Sequence, residues 1–116
     1  MENVTDLDGK NFDSLVSRAD KLTFVEFWKE ECEPCERFSP VLDEAAARYG
    51  DEIAIAKYRI DGPGEILERY SVESVPRLIA FSAGRVVGWI NGYRELSELV
   101  SSIDMFLGVA RRRQPA

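Results

Sequence analysis

The stretch Leu22-Thr23-Phe24-Val25-Glu26-Phe27-Trp28-Lys29-Glu30-Glu31-Cys32-Glu33-Pro34-Cys35 decides how this chain reads. Its first seven residues are rich in strand formers and apolar on both faces, the pattern of a central strand covered on two sides. Both cysteines of the chain follow at once, three residues apart, with Pro34 between them. Proline is tolerated in the first turn of a helix, where its missing N–H costs nothing. The spacing therefore reads as a strand that hands over to a helix at the cysteines. At positions i and i+3 of a helix, Cβ atoms lie roughly 5–6 Å apart, and a small adjustment lets two such sulfurs bond. The loop closed is so short that the bond suits switching better than stapling.

Downstream, residues 34–49 carry Phe38, Leu42, Ala45, Ala46 and Tyr49 at helical spacing, with Pro40 inside as a source of bending. Residues 53–58 read as a second buried strand. Gly62-Pro63-Gly64 breaks the chain, and Ile66, Leu67 and Tyr70 suggest a short helix. Residues 77–81 and 86–91 read as strands joined by Ser82-Ala83-Gly84-Arg85, a hairpin. Leu96, Leu99, Val100, Ile103 and Leu107 mark a last amphipathic helix over 94–107, and upstream Phe12, Leu15, Val16 and Ala19 mark one over 11–19. This order gives an α/β layer with helices on both faces and a right-handed first βαβ crossover.

The 116 residues amount to one domain. We expect it to span residues 1–110, with a frayed end from residue 108 and a basic, disordered tail over 111–116. The net charge is −6, and the tail's Arg111-Arg112-Arg113 leaves the remainder at −9. Such a body should repel phosphate backbones, so no nucleic-acid partner is expected; a nucleic-acid role for the arginine run is the alternative to its simple solvation. No apolar run approaches the ~18–20 residues of a membrane span, and the acidic start shows no apolar signal segment. The expectation is a cytoplasmic monomer with no membrane partner.

There is no histidine, which removes Ser–His and Cys–His nucleophile pairs and imidazole ligation. A zinc site needs four ligands; the chain offers two cysteines, so a metal would have to be shared between two copies. We expect no metal and no organic cofactor. The chemistry rests on the cysteine pair. Unpaired N–H groups and the macrodipole favour an anion at a helix start by up to ~2 kcal/mol, equivalent to a thiol pKa lowered by roughly 1.5 units. Cys32, nearer the N-terminus and open to solvent, is the expected thiolate and attacking group; Cys35, one turn deeper, is the expected resolving thiol. Two buried structural thiols, or a redox-inactive fold used for docking, are the competing readings. Glu26 stands alone as an ionisable group in its strand, and a buried carboxylate has its pKa raised.

Phe24-Val25-Glu26-Phe27-Trp28 followed by Cys32-Glu33-Pro34-Cys35 and Pro40 resembles the thioredoxin family. So do Lys57 and Asp61 on the next strand, Ser74-Val75-Pro76 before a later strand, and Gly84 and Gly92. The similarity spans roughly residues 3–107. It implies a thioredoxin fold, a five-stranded mixed sheet flanked by four helices on both faces, and an activity of thiol–disulfide exchange. It makes Cys32 the nucleophile, Cys35 the resolving thiol and Pro76 a cis-proline facing the pair. The backbone of Val75 is then available to an extended substrate, with Gly92 leaving it room and Trp28 packing beside the cysteines. The family carries a buried aspartate at the position of Glu26, so Glu26 is expected to take the proton of Cys35, with Lys57 moderating its charge; a purely structural Glu26–Lys57 ion pair is the alternative. Partners implied are disulfide-containing proteins and a thioredoxin reductase-type electron donor. An isomerase or oxidase of the same fold, or a non-enzymatic binding module, are the other functions it admits.

The chain departs from the family's Trp-Cys-Gly-Pro-Cys. Glu31 replaces the tryptophan, Glu33 the glycine, and Arg77 follows Pro76 where threonine is common. With Glu30 and Glu36, these acids oppose a thiolate and should make the dithiol a stronger reductant. They should also favour basic substrates over acidic ones, which makes Glu31 and Glu33 candidate substrate-binding residues. Arg77 and Lys29 are candidates to offset them.

Overall fold

The strand predicted at residues 22–28 lies in the middle of a five-stranded sheet in the computed structural model, which describes residues 4–18 and 20–113. The elements are β1 (Val4–Leu7), α1 (Phe12–Val16), β2 (Leu22–Trp28), α2 (Glu33–Tyr49), β3 (Ile53–Arg59), α3 (Glu65–Arg69), β4 (Arg77–Ser82), β5 (Arg85–Asn91) and α4 (Leu96–Arg113). The strand order is β1-β3-β2-β4-β5, with β3 parallel to both β1 and β2, and β4 antiparallel to both β2 and β5. This is the thioredoxin fold expected from the resemblance: a mixed sheet with four helices.

Six of the seven residues of β2 are buried, as a strand covered on both faces requires. One face of the sheet meets α2 and α4 through Phe24, Phe38, Leu42, Leu78, Leu99, Ile103 and their neighbours. The other meets α1 and α3 through Phe12, Val25, Phe27, Ile79 and Phe81. Phe12 sits centrally there, with edge-on packing against Tyr58 and Phe81. The helices are also tied directly to each other. The Tyr49 hydroxyl on α2 donates to Asp104 on α4 (2.6 Å), and Arg69 on α3 pairs with Asp13 on α1 (2.7 Å).

The β4–β5 hairpin turns through Ala83 and Gly84 alone. Both have positive φ, 52° and 82°, as a two-residue turn matching the strand twist demands. Ala83 N–H donates to the Arg18 carbonyl and Gly84 N–H to that of Val16, docking the tip on the end of α1. A bulge between Ala80 and Phe81 shifts the register of the hairpin. Past it, exposed Val86 stands opposite Phe81; before it, exposed Trp89 stands opposite Ile79.

Four expectations need correction. Strand β1 was invisible to pattern reading, because its four residues are mostly exposed and only Leu7 is buried. Asp61 lies beyond β3, which ends at Arg59. The end expected to fray from residue 108 is helical through Arg113, held by burial of Ala110 and an ion pair of Arg111 with Glu52 (3.6 Å). Helix α1 stops at Val16 rather than 19; Ala19 lies outside the described residues, as do Met1–Asn3 and the tail residues 114–116.

Candidate functional site

Helix α2 starts where the cysteines are. Cys32 is its N-cap, in extended conformation (φ −123°, ψ 102°), and its Sγ accepts the Cys35 backbone N–H at 3.2 Å. Pro34 falls in the first turn, where no intrahelical donor is needed. The Cys32 carbonyl accepts from Glu36 N–H and closes the first turn. Cys32 and Cys35 are joined as a disulfide with a Cα separation of 5.2 Å.

In this oxidised state Cys32 is 7% exposed and Cys35 4%. The expectation of an open Cys32 over a closed Cys35 is corrected to a slight difference. The Cys32 sulfur is turned in against the helix terminus by the bond and by the Cys35 N–H, and only a narrow part of the residue faces solvent.

The peptide bond between Val75 and Pro76 is cis. Pro76 is buried and Val75 half-buried. The Pro76 carbonyl accepts Gly92 N–H at 2.8 Å, so the loop before β4 and the end of β5 are held together. Gly92 has φ 84°, a conformation that favours glycine.

Behind the cysteines lies a cleft of about 240 Å³ lined by Glu26, Trp28, Glu31, Cys35, Ser39 and Lys57 among others. Glu26 is 1% exposed, and its Oε2 has no hydrogen-bond partner. Burial pushes its carboxyl up to about 7; Lys57 pulls in the opposite direction and Asp43 adds to the rise. Glu26 and Lys57 are direct partners across the β2–β3 pairing, yet among the described residues no ion pair joins them. The Lys57 ammonium donates instead to Ser39 Oγ at 2.5 Å. Sequence reasoning missed both Ser39 and Asp43. Each lies on α2 at a helical step from Cys35, and that spacing was the available signal.

The acidic rim is less uniform than the sequence suggested. Glu31 and Glu33 are exposed, and neither makes an ion pair among the described residues, whereas Glu30 pairs with Arg59 at 3.6 Å. Glu31 has φ 57°. Arg77 makes no ion pair with these acids among the described residues; its guanidinium lies over the Trp89 ring at 5.7 Å and reaches the Ser71 carbonyl.

The chain thus carries a disulfide-linked pair at a helix N-terminus, a cis Val75–Pro76 bond and a buried carboxylate that shares a cleft with Cys35. The thioredoxin family model matches residues 3–105. The chain belongs to the thioredoxin family. It is 33% identical to a thioredoxin of Alicyclobacillus acidocaldarius over 84% of this chain and 91% of that protein. It is 31% identical to one of Pseudomonas aeruginosa over 89% and 95%. It is 32% identical to a chloroplastic M-type thioredoxin of Zea mays over 93% of this chain and 65% of the maize protein. Membership and the joined cysteines together support thiol–disulfide oxidoreductase chemistry.

Proposed function

We propose that this protein reduces disulfides of other proteins by dithiol exchange. The Cys32–Cys35 disulfide at the N-terminus of α2 carries the reading. In the reduced protein, Cys32 thiolate attacks one sulfur of a substrate disulfide. One substrate thiolate leaves, and a mixed disulfide forms. Cys35 then gives its proton to Glu26 through water in the shared cleft and attacks Cys32 Sγ. The second substrate thiolate leaves, and the Cys32–Cys35 bond forms. Two electrons pass to the substrate, and a dithiol-generating reductase returns them. In the cytoplasm, where thiols are kept reduced, the cycle runs toward substrate reduction.

Further residues support this reading. The half-buried Val75 presents its backbone beside Pro76 for an extended substrate segment. Gly92, tied to Pro76, leaves space next to that segment. Trp28 and Glu31 line the cleft, and the exposed carboxylates of Glu31 and Glu33 beside the cysteines in sequence favour basic substrates.

The test is trapping. Cys35→Ser should accumulate mixed disulfides from a cell extract, and Cys32→Ser should not. Equal accumulation by both variants, or none by either, would remove the mechanism. A Cys32→Ser, Cys35→Ser protein that retains its partners would show a binding module instead.

A further inference from the structure

Three side chains meet in the cleft behind Cys35, and one of them is held away from where its charge would carry it. Lys57 sits on β3 directly beside Glu26 on β2, both side chains lining the same space. A buried carboxylate and a half-buried ammonium at adjacent strand positions would be expected to pair, because each otherwise bears its desolvation cost alone. They do not. Lys57 Nζ gives a hydrogen bond to Ser39 Oγ on α2, and Glu26 Oε2 has no partner. Ser39 lies four residues past Cys35, so its hydroxyl faces the cleft one turn deeper than the resolving sulfur.

We infer that Ser39 is a positioning residue: its hydroxyl anchors the Lys57 ammonium on the helix side of the cleft and keeps it from closing onto the Glu26 carboxylate. The inference rests on Glu26 serving as the proton acceptor for Cys35. A carboxylate in a tight ion pair is a weak base, and one left alone in a buried site is a stronger base. Ser39 thereby sets how basic Glu26 is without touching either reacting sulfur. The other charges around Glu26 do not do this. Asp43 and Glu36 on α2 and Glu30 and Glu31 on the loop before it are acids, and Lys29 is exposed at the mouth. Among the described residues, strand pairing places Lys57 and Leu78 beside Glu26, and of the two only Lys57 is a cation, so its anchor is the point of control.

Carboxyl-carbon NMR of Glu26 in the oxidised protein reads this directly, with no thiol titrating. Ser39→Ala should lower the Glu26 midpoint by about one pH unit or more, the usual effect of an opposite charge drawn into contact. Ser39→Thr, which restores a hydroxyl, should return it to the parent value. Lys57→Met should raise the midpoint, and in that background Ser39→Ala should move it no further. An unchanged or raised midpoint in Ser39→Ala, or an equal fall with Lys57 absent, would overturn the inference. The pH profile of mixed-disulfide resolution, followed by stopped flow, tests the underlying reading separately. A profile that ignores a midpoint shift seen by NMR would remove Glu26 as the base and leave the anchoring role of Ser39 standing.

Discussion

The ring of Phe106 on α4 fills the space where a side chain on Gly88 of β5 would stand. A Cβ built on Gly88 would lie 2.9 Å from Cζ and 3.3 Å from Cδ1, and nearer still to Cε1. Phe106 is buried and packs beside Phe24, so the ring has little room to yield. Gly88→Ala should therefore destabilise the fold by about 1–3 kcal/mol, the usual cost of overpacking. At about 4–8 °C per kcal/mol for a domain of this size, thermal unfolding reads the loss easily. Phe106→Leu should cost less in the Gly88→Ala background than alone. Strict additivity would show that the ring is not the obstacle.

Glu26 makes stability fall with rising pH. Its carboxyl, ordinarily near 4.5, is raised to about 7 in the fold, by burial above all. Between those values the unfolded chain has lost the proton and the folded protein still holds it, so each step up in pH favours unfolding. The stabilisation is whole below the lower value, declines through the interval and levels off above the upper one. The shift corresponds to about 3 kcal/mol. Glu26→Gln carries no such proton, so its stability relative to the parent should improve by about that much between pH ~4 and pH ~8. Denaturant midpoints of the oxidised proteins at the two pH values measure it. A constant difference would show that Glu26 ionises as freely in the fold as outside it.

Ala83 occupies the left-handed region at φ 52°, which costs a residue with a Cβ roughly 1–2 kcal/mol. Asparagine tolerates this conformation, and Asn-Gly is the preferred pair for such a turn. Ala83→Asn should stabilise the protein by about 0.5–1 kcal/mol and leave the redox potential unmoved, because the tip is remote in sequence and structure from the cysteines. Loss of stability would mean that the turn is held by something other than its backbone geometry.

Glu31 and Glu33 should hold the potential down. Each is exposed and without an ion pair among the described residues. A carboxylate about 7 Å from a thiolate costs it roughly 0.6 kcal/mol in water before screening. With about 30 mV for 1.4 kcal/mol in a two-electron couple, Glu31→Gln with Glu33→Gln should raise the potential by up to about 25 mV at low salt, and by less in 1 M salt. Redox titration against glutathione decides it; a potential that stays put or falls would sink the electrostatic account.

Strand β2 was legible because burial on both faces leaves an apolar run with a single charged interruption, Glu26. The start of α2 was legible because proline and a capping sulfur both belong at a helix N-terminus. Strand β1 was not, since Thr5 and Asp6 are solvated and its place at the edge beside β3 is set by pairing rather than by its own residues. The Ser39–Lys57 contact was hidden for a related reason. A serine on a helix carries no sign of the lysine that will reach it from a strand 18 positions away. The stacking of Arg77 on Trp89 was hidden too, because proximity in sequence to Pro76 says nothing of the ring its guanidinium meets.

The hairpin tip is fastened by two backbone hydrogen bonds to the turn that leaves α1. Opening the end of α1 thus means unfastening a turn contributed by residues more than sixty positions later. Proteolytic nicking near Arg18 should accordingly loosen the β4–β5 turn, so the N-terminal segment acts as a clasp on the hairpin that forms one edge of the sheet.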